Sequence, residues 1–259
     1  MTSTEDNKIA NTSLPKVDLL DYLLFPIFVT CFFGTLIIFE FIQRIAILIS
    51  KEAHLNSVLY LNKSLNACLK ILNIKIEVIN SYQADFEKPL IVISNHQSFF
   101  DIPILHVIFA EKFPRFIAKK ELGKWIPSVS FNLRKGENCL IDRGNARQAI
   151  PAIKKFAKLL NERKFAAIIF PEGTRARDGK LKQFHAAGAT ALIDNADTPI
   201  IIPVTIENSW KLATRKFGPI PRNIVIRATI LPKLETNQLT SRAIIELAYQ
   251  KIAENLEKR

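Results

Sequence analysis

Cysteine is scarce in this chain. Three of its 259 residues are Cys, at positions 31, 68 and 139, and no two of them form a CxxC pair. Neither a disulfide framework nor a zinc site is indicated, and a reducing compartment is the natural inference. The first residues lack the basic start and small-residue cleavage site of a signal peptide. There is no internal repeat, no low-complexity linker and no GxSxG elbow of the kind that carries a serine nucleophile. Acidic residues are in deficit, with 24 Asp+Glu against 36 Lys+Arg and a formal net charge of +12. That imbalance favours an anionic partner, whether nucleic acid, an acidic membrane surface or a phosphorylated substrate.

What is present suffices for a core: 48% of residues are hydrophobic and 23% charged, enough for one catalytic-size domain. Residues 1–18 are polar and read as a flexible leader. Tyr22 to Phe39 then runs without a charge between Asp21 and Glu40, and the apolar character resumes through Ile49. Residues 19–50 are therefore expected to anchor the chain in a membrane, as one helix or a helical hairpin. Pro26 and Gly34 complicate a straight span, and Arg44 after Glu40 suits a second helix lying along the interface. If the segment spans, Arg44, Lys51, Lys63 and Lys70 beyond it place the bulk of the protein on the cytoplasmic side.

Residues 51–259 read as the catalytic domain. After a helical connector at 52–73, residues 74–79 alternate as a half-exposed strand, whereas Leu90-Ile91-Val92-Ile93 is a continuous apolar strand of the kind buried on both faces. A helix is expected at about 99–110. Further strand-like runs fall at 115–118, 138–142, 166–170, 199–205 and 223–231. Helical spacing recurs at Ile150, Ile153, Ala157 and Leu160, and again at Ile245, Ala248, Ile252 and Leu256. The pattern predicts an α/β fold with a mixed, partly parallel sheet flanked by helices, preceded by the N-terminal membrane-associated segment.

Two strand ends carry chemistry. The apolar run at 90–93 ends on His96 and Asp101. Five residues apart on one helix they would sit roughly 140° from each other, too far round to touch. His96 is therefore expected in the strand-to-helix turn with Asp101 in the first helical turn, where the carboxylate reaches one imidazole nitrogen and leaves the other free as a general base. The spacing alone is a weak signal, and the context carries it. A second apolar strand ends on Pro171-Glu172-Gly173-Thr174-Arg175, where proline and glycine sharpen the turn and an arginine can grip a phosphate bidentately. Ligands of such sheets gather at strand carboxyl ends. No nearby His or Cys completes a metal-ligand set around His96, so a metal-hydrolase reading is weak.

These residues resemble a known family, the glycerolipid acyltransferases of phospholipid synthesis, specifically the 1-acylglycerol-3-phosphate acyltransferases. Asn95-His96-Gln97-Ser98-Phe99-Phe100-Asp101 matches the NHxSxxD block and Phe170-Pro171-Glu172-Gly173-Thr174-Arg175 the FPEGTR block. Residues 118–122 and 141–143 resemble the middle block, and 202–204 the fourth. The resemblance implies that His96 deprotonates a glycerol hydroxyl with Asp101 as its orienter. It also implies that Arg175, Lys119 and Arg143 bind the acceptor's phosphate while Glu172, Gly173 and Thr174 shape that pocket. The acyl donor would be acyl-CoA or acyl-carrier protein, acting as co-substrate with no metal or bound cofactor. The acceptor would be lysophosphatidic acid, with glycerol 3-phosphate or another lyso-lipid as alternatives. Oxyanion donors are expected from backbone N–H groups near the turn. The chain departs from the family at Arg134-Lys135-Gly136-Glu137 and at His185-Ala186. Basic and aromatic residues interleaved over 112–135 suit anionic lipid headgroups better than nucleic acid, and the expected setting is the cytoplasmic face of the inner membrane. A non-catalytic lipid-binding protein is the reading from another class, and intact His96, Asp101 and Arg175 speak against it.

Overall fold

The computed structural model describes residues 16–80, 85–213 and 218–258, so most of the leader lies outside the described residues. Helix α1 spans Leu19–Ile49 and α2 spans Lys51–Cys68. Asp18 and Asp21 form a reciprocal capping box at the start of α1, satisfying backbone donors that have no helical partner. The helix runs unbroken through Pro26 and Gly34 and stops only at Ser50, whose side chain caps α2. The hairpin turn therefore lies beyond Arg44, which pairs with Glu40 along one face of the same helix.

Among the described residues seven strands follow: β1 Lys75–Ile79, β2 Leu90–Ser94, β3 Arg115–Lys119, β4 Cys139–Ile141, β5 Ala166–Ile169, β6 Ile200–Glu207 and β7 Val225–Ile230. They form one sheet in the order β1-β7-β6-β2-β5-β3-β4. Every pairing is parallel except β6 with β7. The central strands β2 and β5 are buried along their whole length, as unbroken apolar sequence requires when helices cover both faces.

Side-chain alternation divides the core into two layers. Leu90, Val92, Ala166 and Ile168 face one layer with Phe28 from α1 and with Phe100, Ile104 and Leu105 from the segment leading into and through α3 (Asp101–Ile108). Ile91, Ile93, Ala167 and Ile169 face the other, against α5 (Ala146–Arg163), α6 (Ala186–Ile193) and α7 (Ser241–Glu257). A short α4 (Val129–Lys135) closes the α1 side. Because β2, β3, β4, β5 and β6 are parallel, their carboxyl ends share one edge of the sheet. Lys119 ends β3, and His96, Arg143 and the 171–175 turn follow the ends of β2, β4 and β5.

Helix α1 is docked along its length. Arg222 donates to Asp21, Phe28 and Phe32 pack on Phe100, Ser128 donates to Glu40 and to the Leu36 carbonyl, and the Arg44 guanidinium lies 4.9 Å over the Phe131 ring. An adjoining face, including Phe33, Ile37, Phe41, Ile45 and Leu48, is exposed. By length and composition α1 could cross a membrane.

Candidate active site

The turn after β2 is built around Asp101, which is fully buried as the first residue of α3. Its Oδ2 accepts from Gln97 N at 2.7 Å, Ser98 N at 2.9 Å and His96 Nδ1 at 2.8 Å, while Oδ1 accepts from Ser209 Oγ at 2.5 Å. A carboxylate surrounded by donors is acceptor-only, so the shared proton sits on Nδ1 and Nε2 of His96 carries the free lone pair. Phe170 stacks on the imidazole at 4.1 Å and 19°, fixing its plane. The remaining residues of the block hold the turn: Asn95 exchanges two hydrogen bonds with the Ile206 backbone, and Ser98 Oγ accepts from Phe100 N.

The second turn is tied to the first. Glu172 is buried; its Oε1 accepts from His96 N at 2.7 Å and its Oε2 from Lys182 N at 3.1 Å. Ala176 N donates to the His96 carbonyl at 2.7 Å. Burial pushes the Glu172 carboxyl up to about 7, against the opposing pull of those two N–H groups. Both oxygens are committed to backbone, so Glu172 shapes the pocket by clamping the turns together. Gly173 takes φ +66°, a left-handed conformation open to glycine at little cost, and its carbonyl accepts from Arg143 Nη1.

His96, Lys119, Arg143, Thr174 and Arg175 line one cleft of about 310 Å³. Lys119 is exposed and lies 3.6 Å from Glu121. The guanidiniums of Arg143 and Arg175 are both partly desolvated, which lowers both pKa values, and each feels a second arginine that lowers it further: Arg175 for Arg143, Arg177 for Arg175. Like charges turned toward a shared cleft create a site that an anion relieves. The cleft continues into an apolar cavity of about 260 Å³ between α1, α2, α3 and α4, with Phe99, Ile102, Phe116, Ala118 and Leu122 lining both.

Sequence reasoning did not foresee Ser209, the hydroxyl that completes the shell around Asp101 from a turn after β6; a lone serine more than a hundred residues away carries no sequence signal. The N–H groups of residues 96, 97 and 98 already serve Glu172 and Asp101, so they are not the ones left for an oxyanion. Among the described residues, no group of three or more His, Cys, Asp and Glu side chains is placed to hold a metal ion.

The model of the acyltransferase family matches residues 74–207, just over half of the chain and the whole stretch from β1 to the end of β6. The chain belongs to the acyltransferase family. Among curated relatives of this family member is the 1-acyl-sn-glycerol-3-phosphate acyltransferase of Saccharomyces cerevisiae, 33% identical over 163 residues, or 62% of this chain and 52% of the relative. The protein of the same description from Limnanthes douglasii is 31% identical over 158 residues, covering 60% and 53%. The chain spans about half the length of the curated relatives it matches. A crystal structure of a 1-acyl-sn-glycerophosphate (LPA) acyltransferase from Thermotoga maritima superposes with a TM-score of 0.66 at 24% identity, covering 93% of this chain and 96% of that one. It shows the same fold.

Proposed function

We propose that this protein transfers an acyl chain from an acyl thioester, acyl-CoA or acyl-carrier protein, to the free hydroxyl of lysophosphatidic acid, giving phosphatidic acid. The observation that carries the reading is the juxtaposition in one cleft of a histidine with a free Nε2, oriented through Nδ1 by a buried carboxylate, and two arginines facing the same space. His96 Nε2 takes the hydroxyl proton as the oxygen attacks the thioester carbonyl. The tetrahedral oxyanion collapses, the C–S bond breaks, and the thiolate leaves with the proton returned from the imidazolium. Thr174, which lines the cleft, is the donor proposed for the oxyanion, since the N–H groups of residues 96, 97 and 98 are occupied. Arg143, Arg175 and Lys119 hold the acceptor's phosphate, Arg175 through its planar fork. The donor's chain fits the apolar cavity beside the base. The relatives from Saccharomyces cerevisiae and Limnanthes douglasii, as 1-acyl-sn-glycerol-3-phosphate acyltransferases, take the same acceptor class. No metal or bound cofactor enters the step.

The same reading places the protein on an anionic membrane surface, catalytic domain toward the cytoplasm. Asp21 to Arg44 covers about 35 Å at 1.5 Å per residue, comparable to the roughly 30 Å hydrocarbon thickness. Docking of α1 over that length supports a helix lying in the interface, because a crossing helix would carry the domain into hydrocarbon.

The test is an assay of the purified protein in lipid with labelled acyl-CoA or acyl-carrier protein and a panel of acceptors. Lysophosphatidic acid is expected to be acylated, and His96→Ala to abolish transfer without changing expression. No transfer to any acceptor from either donor, or full activity in His96→Ala, overturns the proposal. Preference for glycerol 3-phosphate would move the acceptor while keeping the mechanism.

A further inference from the structure

Trp125 is 95% exposed, the most exposed large apolar side chain among the described residues, and its backbone lies at φ +72°. Left-handed backbone is strained for a bulky residue and persists only where surrounding structure imposes it. Here the imposition is visible. Ser130 Oγ donates to the Leu122 carbonyl and accepts from Ile126 N, Arg134 Nη1 donates to the Gly123 carbonyl, and Ser128, itself at φ +61°, is bonded to Glu40 and to the Leu36 carbonyl of α1. A loop held this firmly at both ends presents an indole to solvent at its tip. None of those bonds uses the indole.

The position of the loop suggests what covers it. Ser128 fixes it to Leu36 and Glu40 of α1, next in the helix to Ile37 and Phe41, which with Phe33 one turn earlier are 51%, 64% and 55% exposed. Indole and helix face thus form neighbouring apolar surface on one side of the molecule. Exposed Lys119, Lys120 and Lys124 border it, and Lys124 makes no ion pair among the described residues. An apolar surface edged by cations complements an anionic bilayer interface, where an indole buries its ring at the acyl boundary and keeps its N–H at headgroup level.

We propose that the 122–128 loop is a second membrane contact, with Trp125 seated in the headgroup region of an anionic bilayer beside α1. This rests on the reading of α1 as an interfacial helix. Leu122 and Ile126 of the same loop line the apolar cavity, so seating the indole brings one wall of that cavity to the lipid boundary, where chains can pass between bilayer and cleft.

Fluorescence isolates the contact, since the other tryptophan, Trp210, is buried. The full chain is mixed with vesicles of phosphatidylcholine, alone or with phosphatidylglycerol, carrying brominated acyl chains. Trp125→Phe reports the Trp210 emission, and its difference from wild type reports Trp125. The expected result is bromine quenching of the Trp125 component, strongest with phosphatidylglycerol, and little quenching of Trp210. Trp125→Gly removes the indole and relaxes the left-handed backbone. It is expected to keep the thermal midpoint at or above wild type while vesicle partitioning falls about tenfold, the equivalent of about 1.4 kcal/mol. If wild type partitions but its Trp125 component is unquenched, or if Trp125→Gly partitions equally well, the loop is not a membrane contact. A concentration-dependent blue shift of Trp125 without vesicles would assign the surface to a second copy of the chain and overturn the proposal. Failure of wild type to partition at all removes the interfacial reading of α1 itself, leaving the acyl-transfer assay to judge the chemistry separately.

Discussion

At the scale of single residues, the orientation of His96 depends on a carboxylate whose two oxygens each have a defined set of donors. Asp101→Asn replaces one acceptor oxygen by an amide that must face an N–H or O–H, leaving a buried donor unpaired at a cost of about 1–3 kcal/mol. It also removes the charge that fixes the proton on Nδ1. The expected outcome is a fall in kcat of about 10²–10⁴ together with a lower Tm, read by steady-state kinetics and thermal melts. Ser209→Ala deletes the 2.5 Å bond to Oδ1 and a longer one, 3.4 Å, to Gln97 Oε1, and leaves the turn's own bonds to Asp101 in place. It should cost about 1.5–3 kcal/mol of stability, as for a hydrogen bond to a charged group, with a smaller loss of kcat than Asp101→Asn. Equal losses in both variants would mean that the carboxylate is held by Ser209 rather than by the turn. His106 gives a pH dependence of different origin. Burial, and secondarily Arg115, pushes its imidazole down to about 3. Its Nδ1 is buried without a hydrogen-bond partner. The folded pKa lies below the ordinary 6.5, so below that pH the unfolded chain binds a proton that the folded chain refuses. Stability is therefore lost progressively as pH falls from about 6.5 toward 3. His106→Phe, which preserves the stack on Phe116, should shift the acid-unfolding midpoint, followed by circular dichroism, to lower pH. His54, displaced in the same direction by burial, leaves part of the acid sensitivity in place.

At the scale of elements, the two polar turns behave as one unit because Glu172, Ala176 and Gln97 join them. Gly179 sits where they meet: it adopts φ +77°, its carbonyl accepts from Gln97 Nε2, and a Cβ there would lie 2.4 Å from Trp210 Nε1. The indole is packed and cannot retreat as a flexible chain end would. Gly179→Ala is thus expected to destabilise the protein by about 1–3 kcal/mol through backbone strain and overpacking and to lower kcat by loosening His96; denaturant titration alongside kinetics measures both. This coupling also marks where legibility in the sequence ends. All seven strands fall on runs whose apolar pattern or length announced them, from 74–79 to 223–231, and His96 and Asp101 meet as their spacing required. Periodicity encodes which face of an element is buried, so elements and the local pair were readable. It does not encode partners distant in sequence. The strand order that puts β7 between β1 and β6, the clamp from Glu172 to His96 N and the bond from Ser209 to Asp101 are long-range pairings, visible only once the chain is folded. The loop at 122–128 was hidden for another reason: two non-glycine residues take left-handed backbone there, against their own preference.

At the scale of the whole molecule, the decisive question is whether α1 is an anchor that could be cut away or a part of the core. Sequence composition treats it as the former, since its apolar run resembles a membrane segment. Packing makes it the latter. Phe28 and Leu36 are 4% and 3% exposed, and truncations of buried Phe and Leu to Ala ordinarily cost about 3–5 and 2–5 kcal/mol. Together these losses reach into the 5–15 kcal/mol that is the entire stability of a typical domain. Without α1, Phe100, immediately before Asp101, would lose two of the three rings packed on it, those of Phe28 and Phe32. A chain beginning at Lys51 is therefore expected to show no cooperative unfolding transition and no acyl transfer, even toward substrates presented in detergent. Because a truncated chain can fail for incidental reasons, the full chain supplies the sharper measurement. Asp21 is buried and Arg222 is its ion-pair partner, with Nε 3.0 Å from Oδ1. Arg222→Ala leaves that carboxylate buried and unpaired, at an expected cost of about 3–5 kcal/mol. If α1 belongs to the core, the loss appears as a lower midpoint of one global transition, seen alike by far-ultraviolet circular dichroism and Trp210 fluorescence. If α1 is a separable anchor, the variant melts in two steps and keeps wild-type stability in the step that reports Trp210.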